Sequence, residues 1–427
     1  MKPTITVIGA GISGLAAARF LAETAEVEVL EKAGAVGGLV QCDYVRDNLF
    51  HKVGGHVFNA KNKEISDWFW AQFDVEAEFY RVRRNAKILL NGKLVGYPLE
   101  NYLYQLDKET VTRVMDDLLA LRARAAGEPA QYDNFRDFLE GNFGKTLYRL
   151  YFEPYNRKIW NTDLSRIPLE WLHGKLPMPN LREILLSNVL REEESAMVHA
   201  TFYYPKAGGS QFIADRLAEG LRVRREQAVR HVQPRDGRLV VDGTREADAV
   251  VYTGDVRKLP DLLHTGDAGL REALEGVRNL RSEGTSNLFC ECDANDVSWL
   301  YLPEPSVRAH RIIYTGNFSA ANNRGSARRT CVVEFAGCVD RDVMEAEIRK
   351  LPGNLVPLAA NYEPNSYVIQ EKDTRRAINA LKERLQKYNF HLLGRFAEWE
   401  YYNMDKAIEA ARNLAGRLAP EGGKPGH

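Results

Sequence analysis

Apolar and polar positions change period several times along this chain, and each change predicts an element. Thr4–Ile8 is a hydrophobic strand that stops at Gly9. Leu15–Ala22 then reads as a helix and Val27–Glu31 as a second strand. Ile65–Phe73 forms a short helix. Ala86–Leu90 and Lys93–Tyr97 flank Asn91-Gly92, a strong hairpin signal. From Leu99 to about Leu190 the pattern is mostly helical, as in Val111, Val114, Leu118 and Leu119. Ala207-Gly208-Gly209 opens a helix over Gln211–Leu221. Ala228–Val232 and Leu239–Val241 alternate like strands, and Ala249–Thr253 reads as a buried one. Residues 284–375 are strand-rich, with Ile312–Tyr314 and Thr330–Phe335 as examples. Thr374–Lys387 is helical, and the turn Leu393-Gly394-Arg395 precedes a last helix over Met404–Leu418.

This order predicts an α/β protein, α+β overall. A Rossmann-type cofactor domain is expected from residues 1–80, 200–260 and 385–427. A helical domain is inserted at 99–190, and a mainly antiparallel substrate-side sheet is expected from 81–98 and 261–384. The 427 residues suffice for two or three domains sharing one cofactor. Composition narrows the class: 44% hydrophobic and 27% charged residues fit a globular protein. No apolar run approaches the roughly 18 residues of a membrane span. A net charge of +0 without a basic block argues against nucleic acid. The chain enters its first strand without a leader, so a cytoplasmic location is expected. Five cysteines, none in a CxxC, read as reduced thiols and not as a metal site. Arg222–Arg225 reads as a solvated charged face.

The candidate chemistry begins in the first turn, Gly9-x-Gly11-x-x-Gly14. Gly9 allows the tight turn, Gly11 lets backbone approach a pyrophosphate, and Gly14 lets helix pack on strand. Ile12, Ser13 and Gly14 then present the free N–H groups and positive dipole end of a helix. Glu31 stands twenty residues past Gly11, where an acid binds ribose hydroxyls, with Lys32 beside it. Strand, turn, helix, strand and acid together predict a dinucleotide site. The second glycine pair, Gly37-Gly38 followed by Leu39, brings more backbone to the phosphates.

That extended pattern resembles the FAD proteins that include amine oxidases, protoporphyrinogen oxidases and UDP-galactopyranose mutases. Four further segments resemble the mutases and their relatives. They are Phe50–Phe58 with Gly54, Gly55 and His56; Tyr155-x-x-x-x-Trp160; Arg311-Ile-Ile after Ala-His; and the stretch from Gly394 to Asp405. The resemblance implies FAD, active in its reduced form, with Gly54, Gly55 and His56 against the flavin ring. It adds Val229, Gly394, Arg395, Asn403 and Met404 to the cofactor set. It implies diphosphate contacts from Arg311, Tyr401 and Tyr402, uridine contacts from Tyr155 and Trp160, and a place near flavin and substrate for Asn85. Arg311, His56 and Tyr401 are the expected catalytic group.

The implied reaction interconverts pyranose and furanose forms of a nucleotide-linked sugar through the nucleophilic N5 of the reduced flavin. The expected partner is a sugar nucleotide, UDP-linked by resemblance. NAD(P)H could bind only transiently as reductant, since no second GxGxxG is present, and a homodimer is left open. One departure stands out. The family's Arg-x-Pro-x-Arg stretch reads Lys175-Leu176-Pro177-Met178-Pro179 here. Arg157, Arg182 and Arg324 are candidates to replace the missing guanidinium, and the alternative is an FAD-dependent oxidoreductase of the protoporphyrinogen or amine oxidase type.

Overall fold

A computed structural model of the chain describes residues 2–124, 131–169, 181–191 and 201–419. Its first layer is a five-stranded parallel sheet drawn from distant parts of the sequence. The order is Phe390–Leu392, Ala249–Tyr252, Thr4–Ile8, Glu26–Leu30 and Arg222–Arg224. Thr4–Ile8 takes the centre with side chains buried on both faces, Ile5 and Val7 on one and Thr6 and Ile8 on the other, as in a sheet covered on both sides. On one face lies the helix Ile12–Leu21, which buries Leu15, Ala16, Ala17 and Ala18. Its small residues let the helix Met404–Leu418 pack closely with Ala407, Ile408 and Ala411. The helices Ala268–Glu275 and Thr374–Gln386 share the opposite core with Val250 and Phe390.

Two details of this layer differ from the sequence reading. Arg222–Arg224 is an edge strand; both arginines project into solvent and pair with Glu28, at 3.0 and 2.5 Å. Charges of this kind protect an edge from further pairing. The strand expected over Ala228–Val232 instead begins at Val232 and runs to Arg235. Asp242 takes the N–H groups of Arg230 and His231, at 2.9 and 3.0 Å, and holds 228–231 as a loop. Pro234 is tolerated because this strand is an edge of its three-stranded sheet.

The second layer is a seven-stranded, mainly antiparallel sheet. Its order is Val356–Val368, Ser282–Cys292, Arg329–Ala336, Arg311–Ile313, Trp299–Tyr301, Ala86–Leu90 and Lys93–Gly96. Only the pairing of Trp299–Tyr301 with Ala86–Leu90 is parallel. The hairpin turns on Asn91 and Gly92, with φ of 50° and 73°, the doubly left-handed turn that matches strand twist. Helices Lys108–Arg124, Phe135–Leu147, Glu153–Trp160 and Leu181–Leu190 cover this end of the sheet. Val114, Leu118, Leu139 and Leu147 meet Ile88 and Tyr301 there, whereas Leu119 is exposed. Among the described residues, no helix is long and apolar enough to cross a membrane. The five cysteines are free thiols, and Cys290, Cys292 and Cys331 are buried in the second sheet's core.

Candidate active site

The first strand and the first helix, Ile12–Leu21, meet at one backbone-built turn. Gly9 has φ +105°, and a side chain there would strike Thr253 Oγ1. A Cβ on Gly14 would stand 2.0 Å from the Gly9 carbonyl oxygen, so helix and turn touch backbone to backbone. Gly11 is different. Its φ is an ordinary −75°, and a Cβ there would find no protein atom closer than 4.0 Å. Protein packing alone gives no reason for glycine at this position; a ligand lying on the backbone does. Gly11 has no side chain to cap its helix, and the first turn carries no acid. The N-terminal N–H groups, including those of Ile12 and Ser13, therefore fit an anion.

The surrounding turns are tied to this one. Gly37 N–H donates to Ala10 O at 2.8 Å, which lays Gly37-Gly38 beside Gly11. Glu31 accepts from the N–H groups of Ala10 and Ala33, at 2.7 and 2.9 Å. Each carboxylate oxygen keeps a lone pair for a ribose hydroxyl. Lys32 is exposed. Gln227 N–H reaches Glu31 O at 2.8 Å, which brings the loop carrying half-buried Val229 alongside. The carboxy-terminal turn closes the set: Gly394 has φ +97°, and a Cβ there would lie 2.6 Å from Ser13 Oγ.

A cleft opens from this cradle toward the second sheet. Leu39, Gly54, Gly55, His56 and the helix start Asn403–Met404 line one part, while Arg84, Arg311, Tyr367, Arg395 and Tyr401 line another. At its base lies Glu334, 0% exposed. It stands directly opposite Arg311 in the strand ladder and forms a buried ion pair with it, Arg311 Nε donating at 2.7 Å. The other Glu334 oxygen accepts Gly54 N–H at 2.8 Å. One carboxylate thus fixes both the glycine loop and the arginine. Burial pushes the Glu334 carboxyl up, but Arg311 and His310 outweigh that and hold it at about 2. His56 is held down at about 4, by burial and then by the Arg395 cation, so it is neutral at pH 7. Its Nε2 is buried without a partner among the described residues. Burial lowers His51 to about 3, and its ring bonds Tyr204 Oη at 2.7 Å.

Aromatic rings carry the other wall. The Arg395 guanidinium lies 4.7 Å from the Tyr401 ring centre, and Tyr401 stacks parallel to Tyr367 at 6.0 Å. Tyr367 Oη accepts from Arg311 at 3.3 Å. Trp160 meets Tyr367 edge-on at 5.8 Å, and Tyr155 meets Tyr301 edge-on at 5.4 Å. Tyr155 and Trp160 therefore sit one ring behind the cleft surface. Tyr402 packs in the first core, and its carbonyl accepts Arg395 Nε–H at 3.1 Å. Asn85 does not line the cleft; its side chain donates to Asp296 O at 3.0 Å. Its neighbour Arg84 does line it.

Of the three arginines named as replacements, Arg157 pairs with Glu153 at 3.5 Å and Arg182 and Arg324 are exposed. None lines the cleft. Lys175–Pro179 lies outside the described residues. Sequence reading missed Glu334, Tyr367 and Arg84. Glu334 did leave a signal, a lone acid inside the apolar strand Thr330–Phe335. Arg84 and Tyr367 left none that separates them from surface residues.

Comparison with known proteins agrees with this architecture. Residues 7–73 match the family model of NAD(P)-binding Rossmann-like domains. A UDP-galactopyranose mutase of Mycoplasma genitalium is 22% identical over 422 residues, covering 95% of this chain and 92% of the relative. A Klebsiella pneumoniae relative, whose name also carries UDP-galactopyranose mutase, is 25% identical over 179 residues. That match spans 41% of this chain and 45% of the relative, under half its length. The crystal structure of a reduced UDP-galactopyranose mutase superposes with a TM-score of 0.86 at 19% identity, covering 98% of this chain and 95% of that one. The chain is thus similar to UDP-galactopyranose mutases along nearly all of its length, in sequence and in fold.

Proposed function

We propose that this protein is an FAD-dependent mutase that interconverts the pyranose and furanose forms of a sugar linked to a nucleoside diphosphate, with uridine as the base. The observation that carries the reading is the charge of the cleft. Arg84, Arg311 and Arg395 face Glu334 and Asp405 there, at the mouth of a dinucleotide cradle. A site for an amine or an apolar ring system has no use for that excess of cations, whereas a diphosphate does. The likeness to named mutases supports the same reading.

The FAD pyrophosphate would rest on Gly11 and the helix N-terminus that follows it, with Glu31 at a ribose. The flavin ring would lie between the Gly54–His56 loop and the start of the helix Met404–Leu418, whose positive end favours an electron-rich ring edge. Bound and reduced, the flavin would supply a nucleophilic nitrogen to the anomeric carbon. The chain's own residues do the rest. Arg311 is held by Glu334 so that its guanidinium does not swing between turnovers. It and the hydroxyls of Tyr401 and Tyr367 stabilise the charge that collects on the departing diphosphate. Neutral His56 can exchange a hydrogen bond through Nε2 without adding charge beside Arg395. Tyr155 and Trp160 stiffen the aromatic wall against which the base would stack. A cytoplasmic setting, NAD(P)H as a transient reductant and a homodimer complete the proposal.

The test is titration of the flavin-loaded, dithionite-reduced protein with UDP. Saturable binding with a change in the flavin spectrum is expected. Indifference to UDP, together with oxygen-dependent turnover of an amine or porphyrinogen, would replace the mutase with an oxidoreductase.

A further inference from the structure

The structure assigns to Arg84 a role as the second anion-binding cation of the cleft, taking phosphate oxygens of the substrate's diphosphate together with Arg311. This rests on the proposed function and deepens it. The three arginines of the cleft are committed very differently. Arg311 is neutralised by Glu334. Arg395 spends its N–H groups on the carbonyls of Tyr402 and Ser366 and lays its face on Tyr401. Arg84 makes one hydrogen bond among the described residues, to Tyr301 Oη at 2.7 Å. Among the described residues its Nε is buried with no partner, and no carboxylate forms an ion pair with it.

A largely buried guanidinium without a counter-charge is costly, because burial strips its hydration and no acid offsets its charge. The packing nevertheless holds it in place. The rings of Tyr97 and Trp299 lie 5.1 and 5.3 Å from its centre, so the group is fixed by its faces while donors on its edge stay unspent. Such a cage supplies orientation and leaves the charge available to an incoming anion. Position supports this. Tyr301, which receives the Arg84 N–H, is the ladder partner of Arg311, so the two guanidinium groups rise from adjacent structure into one cleft. An arginine fork meets a diphosphate with paired N–H···O contacts, which a lysine cannot reproduce.

The experiment uses the flavin-loaded, reduced protein and its Arg84→Gln, Arg84→Lys and Arg84→Ala variants, titrated with UDP, uridine and inorganic pyrophosphate. For Arg84→Gln, UDP and pyrophosphate affinity should fall roughly 10- to 100-fold, the range of a hydrogen bond to a charged group. Uridine affinity and flavin content should hold. Arg84→Lys should recover only part of the loss, and added guanidinium ion should restore UDP binding to Arg84→Ala. A variant that melts earlier but binds UDP as wild type does would show a purely structural clamp and overturn the assignment. Equal losses for uridine and UDP would overturn it too. Wild type that binds pyrophosphate through Arg84 but ignores UDP would sink the sugar-nucleotide reading and leave this site standing. Wild type that binds neither sinks both.

Discussion

The dinucleotide cradle and the cleft beside it are built on opposite principles. The cradle is made of backbone. Gly9, Gly11 and Gly14 lie within six residues, and the partners that close it, Gly37 and Gly394, are themselves glycines in left-handed turns. The cleft is made of side chains from five distant segments, at Arg84, Arg311, Glu334, Tyr367 and Tyr401, with an ion pair and stacked rings among them. Backbone sites tolerate no added atom; side-chain sites tolerate size changes but not an unpaired charge. Substitutions should separate the two regions cleanly.

The largest effect is expected in the cradle. Gly14→Ala places a carbon 2.0 Å from the Gly9 carbonyl oxygen. Neither backbone segment can yield easily, so stability should fall by roughly 3 kcal/mol or more, read by denaturant unfolding. An unchanged unfolding midpoint would mean the turn is not backbone-packed. Gly11→Val, three residues away, should do the reverse. It meets no protein atom closer than 4.0 Å at Cβ, so the fold should persist while the purified protein comes out colourless. Retained FAD would contradict the cradle's assignment.

The cleft should respond more moderately. Glu334→Gln keeps the shape but leaves Arg311 buried without its carboxylate, at an expected cost of about 3 kcal/mol with FAD retained. Arg311→Ala should abolish turnover and leave the protein yellow; loss of FAD would show that Arg311 serves the cofactor. Next comes pH. His51 and His56 are held near 3 and 4, below their ordinary 6.5, so the unfolded chain binds more protons. Their contribution is complete above pH 6.5 and is lost as pH falls toward 3. Glu334, held at about 2 against an ordinary 4.5, adds a loss below pH 4.5. Melting temperature measured from pH 7.5 to 4 should fall, and the fall should be shallower in His56→Gln. The smallest effect belongs to Asn85→Ala. Removing its bond to Asp296 O should cost about 1 kcal/mol and leave UDP binding as it was, in contrast to its neighbour Arg84.

That neighbouring pair shows why one region was legible and the other was not. Glycine spacing is written in consecutive residues, and so is the last helix, which starts and stops at Met404 and Leu418 as the periodicity predicts. Arg311 could be singled out from its surrounding motif. Its pairing with Glu334 could not be read, because their adjacency arises from strand register 23 residues apart along the chain. Asn85 and Arg84 are consecutive in the link between the strands Phe79–Arg83 and Ala86–Leu90, which belong to different sheets. Only the path of that link decides which one lines the cleft. Ala228–Val232 failed for a related reason: Asp242, ten residues downstream, captures the backbone that alternation assigned to a strand.

The sequence by itself determined the inner strands of the parallel sheet, its glycine turns and the helices Ile12–Leu21 and Met404–Leu418, because these follow from local backbone freedom and from the period of apolar residues. The tertiary structure alone decided where the charges meet. Arg311 meets Glu334, Arg84 rests against two aromatic rings with no acid paired to it among the described residues, and Tyr367 completes the wall. Electrostatic pairing acts through space in a low-dielectric interior, and contacts across sheets and domains carry no periodic trace along the chain.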